Sequence, residues 1–188
     1  MWPFLYFADD RLSTAELTSA RLDGDLVELG DAFLPADAVE TAELRAASLR
    51  ACVPDTLAVT RTTAAWVHGA IPEAPVRHCV QRMSATRLHH VRGARLDYRE
   101  RLLTADAVTR IGGVWVTTPE RTLADLARAL QAGEPTAAAI EQMIVWRPHL
   151  VTAALALLAQ GPRTLHKRPA QAYLRARWAG AAQEEVTR

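Results

Sequence analysis

Arginines recur every two to five residues through the middle of the chain, with histidines and a tyrosine between them. Guanidinium groups can bind phosphate oxygens through paired hydrogen bonds, and aromatic rings beside them add surfaces for stacking. The pattern predicts a nucleic-acid-binding surface, and the alternative is a solvated sheet face with scattered arginines. The residues concerned are Arg77, Arg82, Arg87, Arg92, Arg95, Arg99 and Arg101, interleaved with His78, His89, His90 and Tyr98.

The same segment contains potential metal ligands, but not at the spacing of a metal site. Cys79 follows His78, and His89 is next to His90, yet no C-x-x-C or H-x-x-x-H pattern is present. Neighbouring residues of a strand point to opposite faces, so only one of each pair could reach a common ion. The spacing therefore predicts no metal site.

Sequence motifs for catalysis are missing as well. The chain has neither a glycine-rich phosphate loop nor a Gly-x-Ser-x-Gly sequence. A metal-dependent nuclease would need paired carboxylates with a lysine nearby to activate water, and Lys167 is the only lysine. We expect neither an enzyme nor a bound cofactor.

The net charge of +1 conceals a strong segregation of charge along the chain. Residues 1–45 hold ten acidic side chains against three arginines, whereas residues 46–101 hold nine arginines against four acids. Residues 142–188 are basic again, with seven cations and two carboxylates. Such segregation predicts surfaces of opposite sign, one of which could face a polyanion.

Two further groups of candidate residues lie on either side of the middle segment. The tail group could bind DNA backbone or an acidic partner, or its helix could simply cap the sheet. In the N-terminal part the candidates are Arg11, Thr14, Thr18 and Arg21, and in the tail they are Arg163, Lys167, Arg168, Arg175 and Arg177.

Residues 1–40 have the pattern of a truncated, winged-helix-like head. Ser13 and Glu16 form a capping-box sequence, which predicts a helix from about Thr14 to Leu22. A hairpin or wing should follow, turning at Gly30. The head is acidic, so it is either a vestige of a DNA-binding element or a docking surface for a basic partner.

Residues 41–188 are predicted to form a second domain, which makes the whole chain an α+β protein. A helix should open at Asp37 and stop at Pro54, before a strand over 55–60 and a short helix over 64–68. We expect a central antiparallel sheet with helices and a helical C-terminal end. The further strands are expected at 78–83, 88–91, 94–98, 107–111 and 114–117, and the further helices at 135–145, 150–160 and 170–183.

The most specific stretch is Gly113-Val-Trp-Val-Thr-Thr-Pro-Glu-Arg-Thr-Leu-Ala-Asp-Leu126. It predicts a strand followed by a helix that Thr118 caps and Pro119 begins, because proline lacks the N–H that would have no partner there. Arg121 and Asp125 are one turn apart and can pair on a single helix face. We interpret the motif as a folding element in preference to a ligand site. Its apolar stripe is Leu123, Leu126, Ala127 and Leu130.

Three blocks of the chain, residues 12–35, 63–69 and 113–126, resemble the AbiEi family, especially its actinobacterial members. This family is the antitoxin half of type IV toxin–antitoxin pairs, and the resemblance covers about residues 8–130. It implies a DNA-binding winged helix before a domain of antiparallel sheet and helices. It also implies repression of the protein's own operon at its promoter DNA and a cognate nucleotidyltransferase-type toxin.

A second interpretation is a protein-interaction module that neutralises a partner toxin by contact without binding DNA. The sequence does not indicate an oligomeric state. No stretch approaches the roughly 20 apolar residues of a membrane helix, and the N-terminal residues lack the basic lead-in of a secretory signal. With two cysteines and no disulfide framework, we expect a cytoplasmic protein.

Overall fold

The computed structural model describes residues 4–88, 93–161 and 164–186, with side chains up to residue 179. The head consists of α1 (Thr14–Leu22) and a hairpin of β1 (Leu26–Leu29) with β2 (Ala32–Pro35). The predicted capping box is confirmed. The Glu16 N–H donates to Ser13 Oγ over 3.3 Å, and the Ser13 N–H donates to the Glu16 carboxylate over 2.8 Å.

The next helix, α2 (Ala42–Ser48), is shorter than the predicted helix from Asp37 to Pro54, whose bounds were wrong. Thr41 is its cap, because Thr41 Oγ1 accepts a hydrogen bond from the Leu44 N–H over 3.3 Å. The helix therefore begins where a side chain satisfies its first free N–H groups. It ends at Ser48, and turns lead on to Pro54.

The central sheet has five strands in the order β5-β4-β3-β7-β6. The β3–β4 and β6–β7 pairs are antiparallel, but β3–β7 and β4–β5 are parallel. The α+β class is confirmed, whereas the expectation of an antiparallel sheet was wrong. Long connections, such as residues 83–95 between β4 and β5, bring the chain back to the end at which it started. The strands are β3 (Leu57–Val59), β4 (His78–Arg82), β5 (Leu96–Arg99), β6 (Val108–Ile111) and β7 (Val114–Thr117).

One predicted strand, residues 88–91, falls mostly on positions 89–92, which are outside the described residues; Leu88, which is described, lies outside any strand. The predicted hairpin at Gly112-Gly113 is confirmed as β6 and β7. Its turn lies against α2, where a Cβ added to Gly112 would lie 2.3 Å from the Glu43 carbonyl oxygen. This contact fixes the outer strands against the helix.

The helices after the sheet gather around α4 (Pro119–Gln131), which begins at Pro119 as predicted. Thr118 Oγ1 accepts from the Arg121 N–H over 3.4 Å. Leu123, Leu126 and Ala127 are fully buried, and Leu130 is partly buried against the same cluster. The remaining helices are α3 (Arg61–Val67), α5 (Ala137–Trp146), α6 (Leu150–Gln160) and α7 (Lys167–Val186).

Of the three apolar clusters that the described residues form, the two larger hold most of these elements together. The first joins the head to the sheet, since Leu29 and Leu34 of the hairpin pack with Trp66 and Val80. The second lies among α4, α5, α6 and α7. Among the described residues, no single helix has the length and hydropathy to cross a membrane. Helices α5 and α6 would meet that test only as a pair, and a 120° bend separates them.

Candidate anion-binding cleft

A cleft lies on the face of the sheet toward which alternate residues of β4 and β5 point. The parallel register places Gln81 beside Arg99 and Cys79 beside Asp97. Because side chains alternate along a strand, Leu96 and the other residues between them face the opposite, apolar side. Helix α4 and the residues before α7 form the other wall of the cleft.

Arg61, the first residue of α3, lies at the inner end of this cleft. Its φ is +49°, a left-handed conformation that side-chain-bearing residues rarely adopt. The residue is 3% exposed. Its guanidinium donates over 2.5 Å to Asp97 and over 2.5 Å to Glu134. The unusual backbone thus delivers a buried cation between two carboxylates.

Asp125 of α4 holds two more arginines against the cleft wall. Arg121 Nε donates to Asp125 Oδ2 over 2.7 Å, and an Arg128 terminal nitrogen donates to Asp125 Oδ1 over 3.3 Å. The predicted pair of Arg121 with Asp125 is therefore present. A third residue, Arg128, follows two helical turns after Arg121, and its cation shares the same carboxylate.

Two cavities of about 320 and 310 Å³ adjoin along this wall and share Arg101, Asp125 and Arg128. Six cations line them, against the carboxylates of Asp106 and Asp125. We name this region the arginine cleft. It is defined by Arg61, Arg99, Arg101, Arg121, Arg128 and Lys167.

The cations of the arginine cleft repel one another. Burial lowers the pKa of Arg99, and the charge of Arg61 lowers it further. Burial also lowers the pKa of Arg128, with Asp125 opposing and Arg101 and Arg121 adding to the decrease. Both groups stay charged at neutral pH, but an incoming anion would relieve part of this repulsion. The cleft therefore has the electrostatics of a phosphate- or carboxylate-binding site.

The arginines of residues 77–101 that were predicted to bind nucleic acid lie in several different environments. Arg77 donates to the Leu96 carbonyl over 2.7 Å. Arg82 and Arg87 both pair with Glu100, at 3.4 and 3.6 Å. The others are placed as follows: Arg95 pairs with Asp31, Arg99 pairs with Glu134 in the cleft, Arg101 lines the cleft, and Arg92 lies outside the described residues.

Strand alternation and these ion pairs prevent the described arginines of residues 77–101 from forming one continuous surface of available cations. Of the arginines in this segment that the structure describes, only Arg99 and Arg101 reach the cleft. Nucleic-acid binding by the segment stays a prediction. Fewer arginines of this segment are available to bind phosphate than the sequence indicated, because carboxylates pair with several of the guanidinium groups.

In the head, the candidate side chains lie along α1 and just before it. Arg11, Thr14 and Arg21 are exposed, and Arg21 pairs with Glu28 at 3.3 Å. The hydroxyl of Thr18 donates to the Thr14 carbonyl over 2.7 Å. These residues could contact a ligand, but five exposed carboxylates lie around them. The carboxylates belong to Asp9, Asp10, Glu16, Asp23 and Asp25.

The turn of the wing faces the body of the protein. A Cβ added to Gly30 would lie 2.4 Å from Ser48 Oγ and 3.1 Å from the Trp66 ring. This turn could not enter a DNA groove without leaving the sheet domain. A head that contacts DNA would therefore have to use α1.

The tail residues divide between the cleft and the outer part of α7. Lys167 Nζ donates to the carbonyls of Ala159 and Gly161 at the end of α6, over 3.1 and 2.5 Å. A third cavity of about 610 Å³ continues from the cleft past Lys167 and Arg168. Further along, Arg175 is exposed and Arg177 pairs with Glu141 at 2.6 Å. Arg163 lies outside the described residues.

Sequence reasoning missed Arg61 and Arg128 as site residues. The spacing of Arg121, Asp125 and Arg128 at i, i+4 and i+7 was a readable signal, since these positions share one helix face. For Arg61 no local signal was available. Its importance comes from Asp97 and Glu134, which are 36 and 73 residues away in the chain.

The comparisons with known proteins identify the domain that contains most of this cleft. Residues 56–145 match the family model of the AbiEi antitoxin C-terminal domain. Antitoxins of this kind belong to toxin–antitoxin systems, and the match is to an antitoxin family and not to an enzyme family. This match confirms the resemblance over residues 56–145 and supports an antitoxin role, which implies a cognate toxin as partner.

Among solved structures, the chain is similar to the crystal structure of the RV2827C protein from Mycobacterium tuberculosis. The two sequences are 18% identical, and the alignment covers 87% of this chain and 70% of that chain with a TM-score of 0.38. A search of curated proteins gave no match.

Proposed function

We propose that this antitoxin acts in a type IV pair, counters a nucleotidyltransferase-type toxin and represses its own operon by binding promoter DNA. The AbiEi domain supports the antitoxin role. The observation that supports DNA binding is the surplus of cations in the arginine cleft. We assign the DNA contact to this cleft instead of the wing, because the wing turn is packed on the body.

The cleft is suited to a phosphate backbone by its shape as well as its charge. Its two cavities open to solvent side by side, and the third continues along the start of α7. A backbone that follows this path would meet Arg101 and Arg128 first and Lys167 and Arg168 further along. Contacts of this kind supply affinity without reading base sequence. Sequence discrimination would have to come from another surface, such as α1.

The proposal is tested by measuring binding of the full chain to its own promoter fragment by fluorescence anisotropy across a salt series. Arg101→Gln and Arg128→Gln should each weaken binding and reduce the slope of log K against log salt by about 1. Asp125→Asn should strengthen binding, because it removes a negative charge from the cleft. Arg110→Gln is the matched control, since Arg110 pairs with Asp55 away from the cleft.

A protein-interaction module that binds no DNA is the second candidate, and the exposed carboxylates of the head favour it. Hydrogen bonds from Ser13 lower the pKa of Glu16, so this group is ionised at neutral pH together with its acidic neighbours. The same proteins are tested for rescue of cells that express the toxin. Rescue by a chain that does not bind the promoter at low salt would support the module and contradict the repressor.

A further inference from the structure

Three potential metal ligands from separate segments meet where the head contacts the sheet domain. Asp31 lies in the turn between β1 and β2, Cys52 follows α2, and His78 is the first residue of β4. A carboxylate oxygen of Asp31, the Cys52 sulfur and an imidazole nitrogen of His78 all lie within 4.8 Å of one another. We name these three residues, with Arg95 beside them, the head junction.

His78 supplies the independent observation that points to a ligand. Its side chain is 0% exposed, yet neither ring nitrogen has a hydrogen-bond partner among the described residues. Nε2 lies 3.6 Å from Asp31 Oδ1, which is beyond an ordinary hydrogen bond. A buried imidazole without partners is costly and rare in folded proteins. A metal ion between these groups would satisfy one of the nitrogens.

We propose that Asp31, Cys52 and His78 bind one Zn²⁺ ion, with a fourth position left for water or an external ligand. Sulfur, imidazole nitrogen and carboxylate oxygen are the ligands that zinc binds in proteins. In a tetrahedral site with ordinary zinc–ligand distances, ligand atoms are about 3.3 to 3.8 Å apart. The separation of Asp31 and His78 already falls in this range, and the remaining separations need to close by about 1 Å at most.

Zinc binding at this site would have to displace the proton of the Cys52 thiol. Burial raises the pKa of the Cys52 thiol to about 12, and the neighbouring Asp31 adds to the increase. Zinc binds the thiolate, so one proton leaves to solvent as the ion enters. Arg95 supplies the positive charge beside Asp31 in the metal-free protein. Its side chain is 55% exposed, so it can turn toward solvent when the ion binds.

The expectation of no metal site relied on ligand spacing within residues 78–90. Such spacing detects a site built from one local segment, whereas these ligands are 21 and 26 residues apart in the chain. Because Asp31 belongs to the wing and His78 to the sheet, the ion would crosslink the two parts of the molecule. This inference does not depend on the proposed DNA binding.

The site is tested with the chelator-treated full chain by titration with Co²⁺, a spectroscopic substitute for zinc. We expect one equivalent to bind, with a thiolate-to-cobalt charge-transfer band and tetrahedral visible bands that Zn²⁺ abolishes by displacement. Zinc at about 100 times its Kd should raise the melting temperature by about 5 to 10 °C. The absence of stoichiometric binding would overturn the proposal.

Substitutions determine which residues hold the ion. Cys52→Ser should abolish the charge-transfer band, and Asp31→Asn should weaken Co²⁺ binding at least tenfold. Cys79→Ser is the matched control and should keep the band, because the Cys79 sulfur lies 3.3 Å from Thr62 Oγ1 on the opposite face of β4. Arg95→Gln, a change at a side chain that reaches solvent, should tighten binding. A band that survives Cys52→Ser or disappears in Cys79→Ser would contradict the assignment.

Discussion

The head junction and the arginine cleft both place charged groups out of water, but they balance these charges differently. At the head junction one guanidinium, that of Arg95, faces one carboxylate, that of Asp31. In the arginine cleft six cations share two lining carboxylates and the partners of Arg61 behind them. The charges of Arg95 and Asp31 neutralise each other in the metal-free protein. The arginine cleft has more cations than carboxylates, so positive charge is left for an anionic ligand. Whether an arginine is structural or available thus depends on its partners across the fold.

The largest expected effect comes from Arg61, the buried cation of the cleft that two carboxylates hold. Arg61→Met would leave Asp97 and Glu134 without their buried partner and should lower the free energy of unfolding by about 3 kcal/mol. This is the low end for a broken buried pair, since the Asp97 side chain is 43% exposed. Urea unfolding measures the loss. Arg110→Met, which breaks an exposed pair with Asp55, should cost less than about 1 kcal/mol.

Equal losses in the free energy of unfolding of Arg61→Met and Arg110→Met would show that Arg61 is as available to a ligand as the other cations of the cleft. A difference of about 2 kcal/mol or more would show that the inner end of the cleft is part of the folded framework.

A smaller effect is expected where the wing meets the body. Gly30 has a φ of +60°, and its missing Cβ leaves room for Ser48 Oγ, which donates to the Arg45 carbonyl over 2.7 Å. Gly30→Ala should lower the free energy of unfolding by about 2 kcal/mol, from backbone strain together with displacement of Ser48 and Trp66. Chemical unfolding followed by tryptophan fluorescence reports the change.

Gly24→Ala separates the two causes. Gly24 has a φ of +85° but no atom within 4 Å of its added Cβ, so only the backbone cost of about 1 kcal/mol should appear. If Gly30→Ala and Gly24→Ala lower the free energy of unfolding by the same amount, the wing turn is not held tightly by the body. The head would then be freer to reach DNA than its packing suggests.

Local signals predicted the elements of these regions but not the way the elements come together. The capping box at Ser13, the Gly112-Gly113 turn and the start of α4 at Pro119 each depend on residues within a few positions, and each was found where expected. The start of α2 was wrong because Asp37 and Thr41 are both acceptable caps and tertiary packing decides between them.

The parallel pairs of the sheet, the arginine cleft and the head junction could not be predicted for a shared reason. Each requires contacts between residues that are tens of positions apart, such as Arg61 with Glu134 or Asp31 with His78. The density of arginines along residues 77–101 correctly indicated that arginine is the main residue type of the candidate binding site. It could not show which guanidinium groups would meet a carboxylate, because strand register and connection length decide that.

The smallest expected effect concerns His68, a second histidine that is largely out of water. We compare it with His78 of the head junction. His68 Nε2–H donates to the Thr117 carbonyl over 2.7 Å, whereas the His78 ring has no hydrogen-bond partner within the described part of the chain. Burial lowers the pKa of His68, the bond to Thr117 opposes the decrease, and Arg147 adds to it. The unfolded chain therefore takes up a proton near pH 6.5 that the folded protein resists. This contribution to stability is complete above about pH 6.5 and is lost as the pH falls below it.

His68→Gln should reduce the loss in free energy of unfolding between pH 7.5 and 5.0, as measured by urea titration at each pH. An unchanged pH dependence would mean that His68 is protonated equally in the two states, and that its hydrogen bond to Thr117 outweighs its burial.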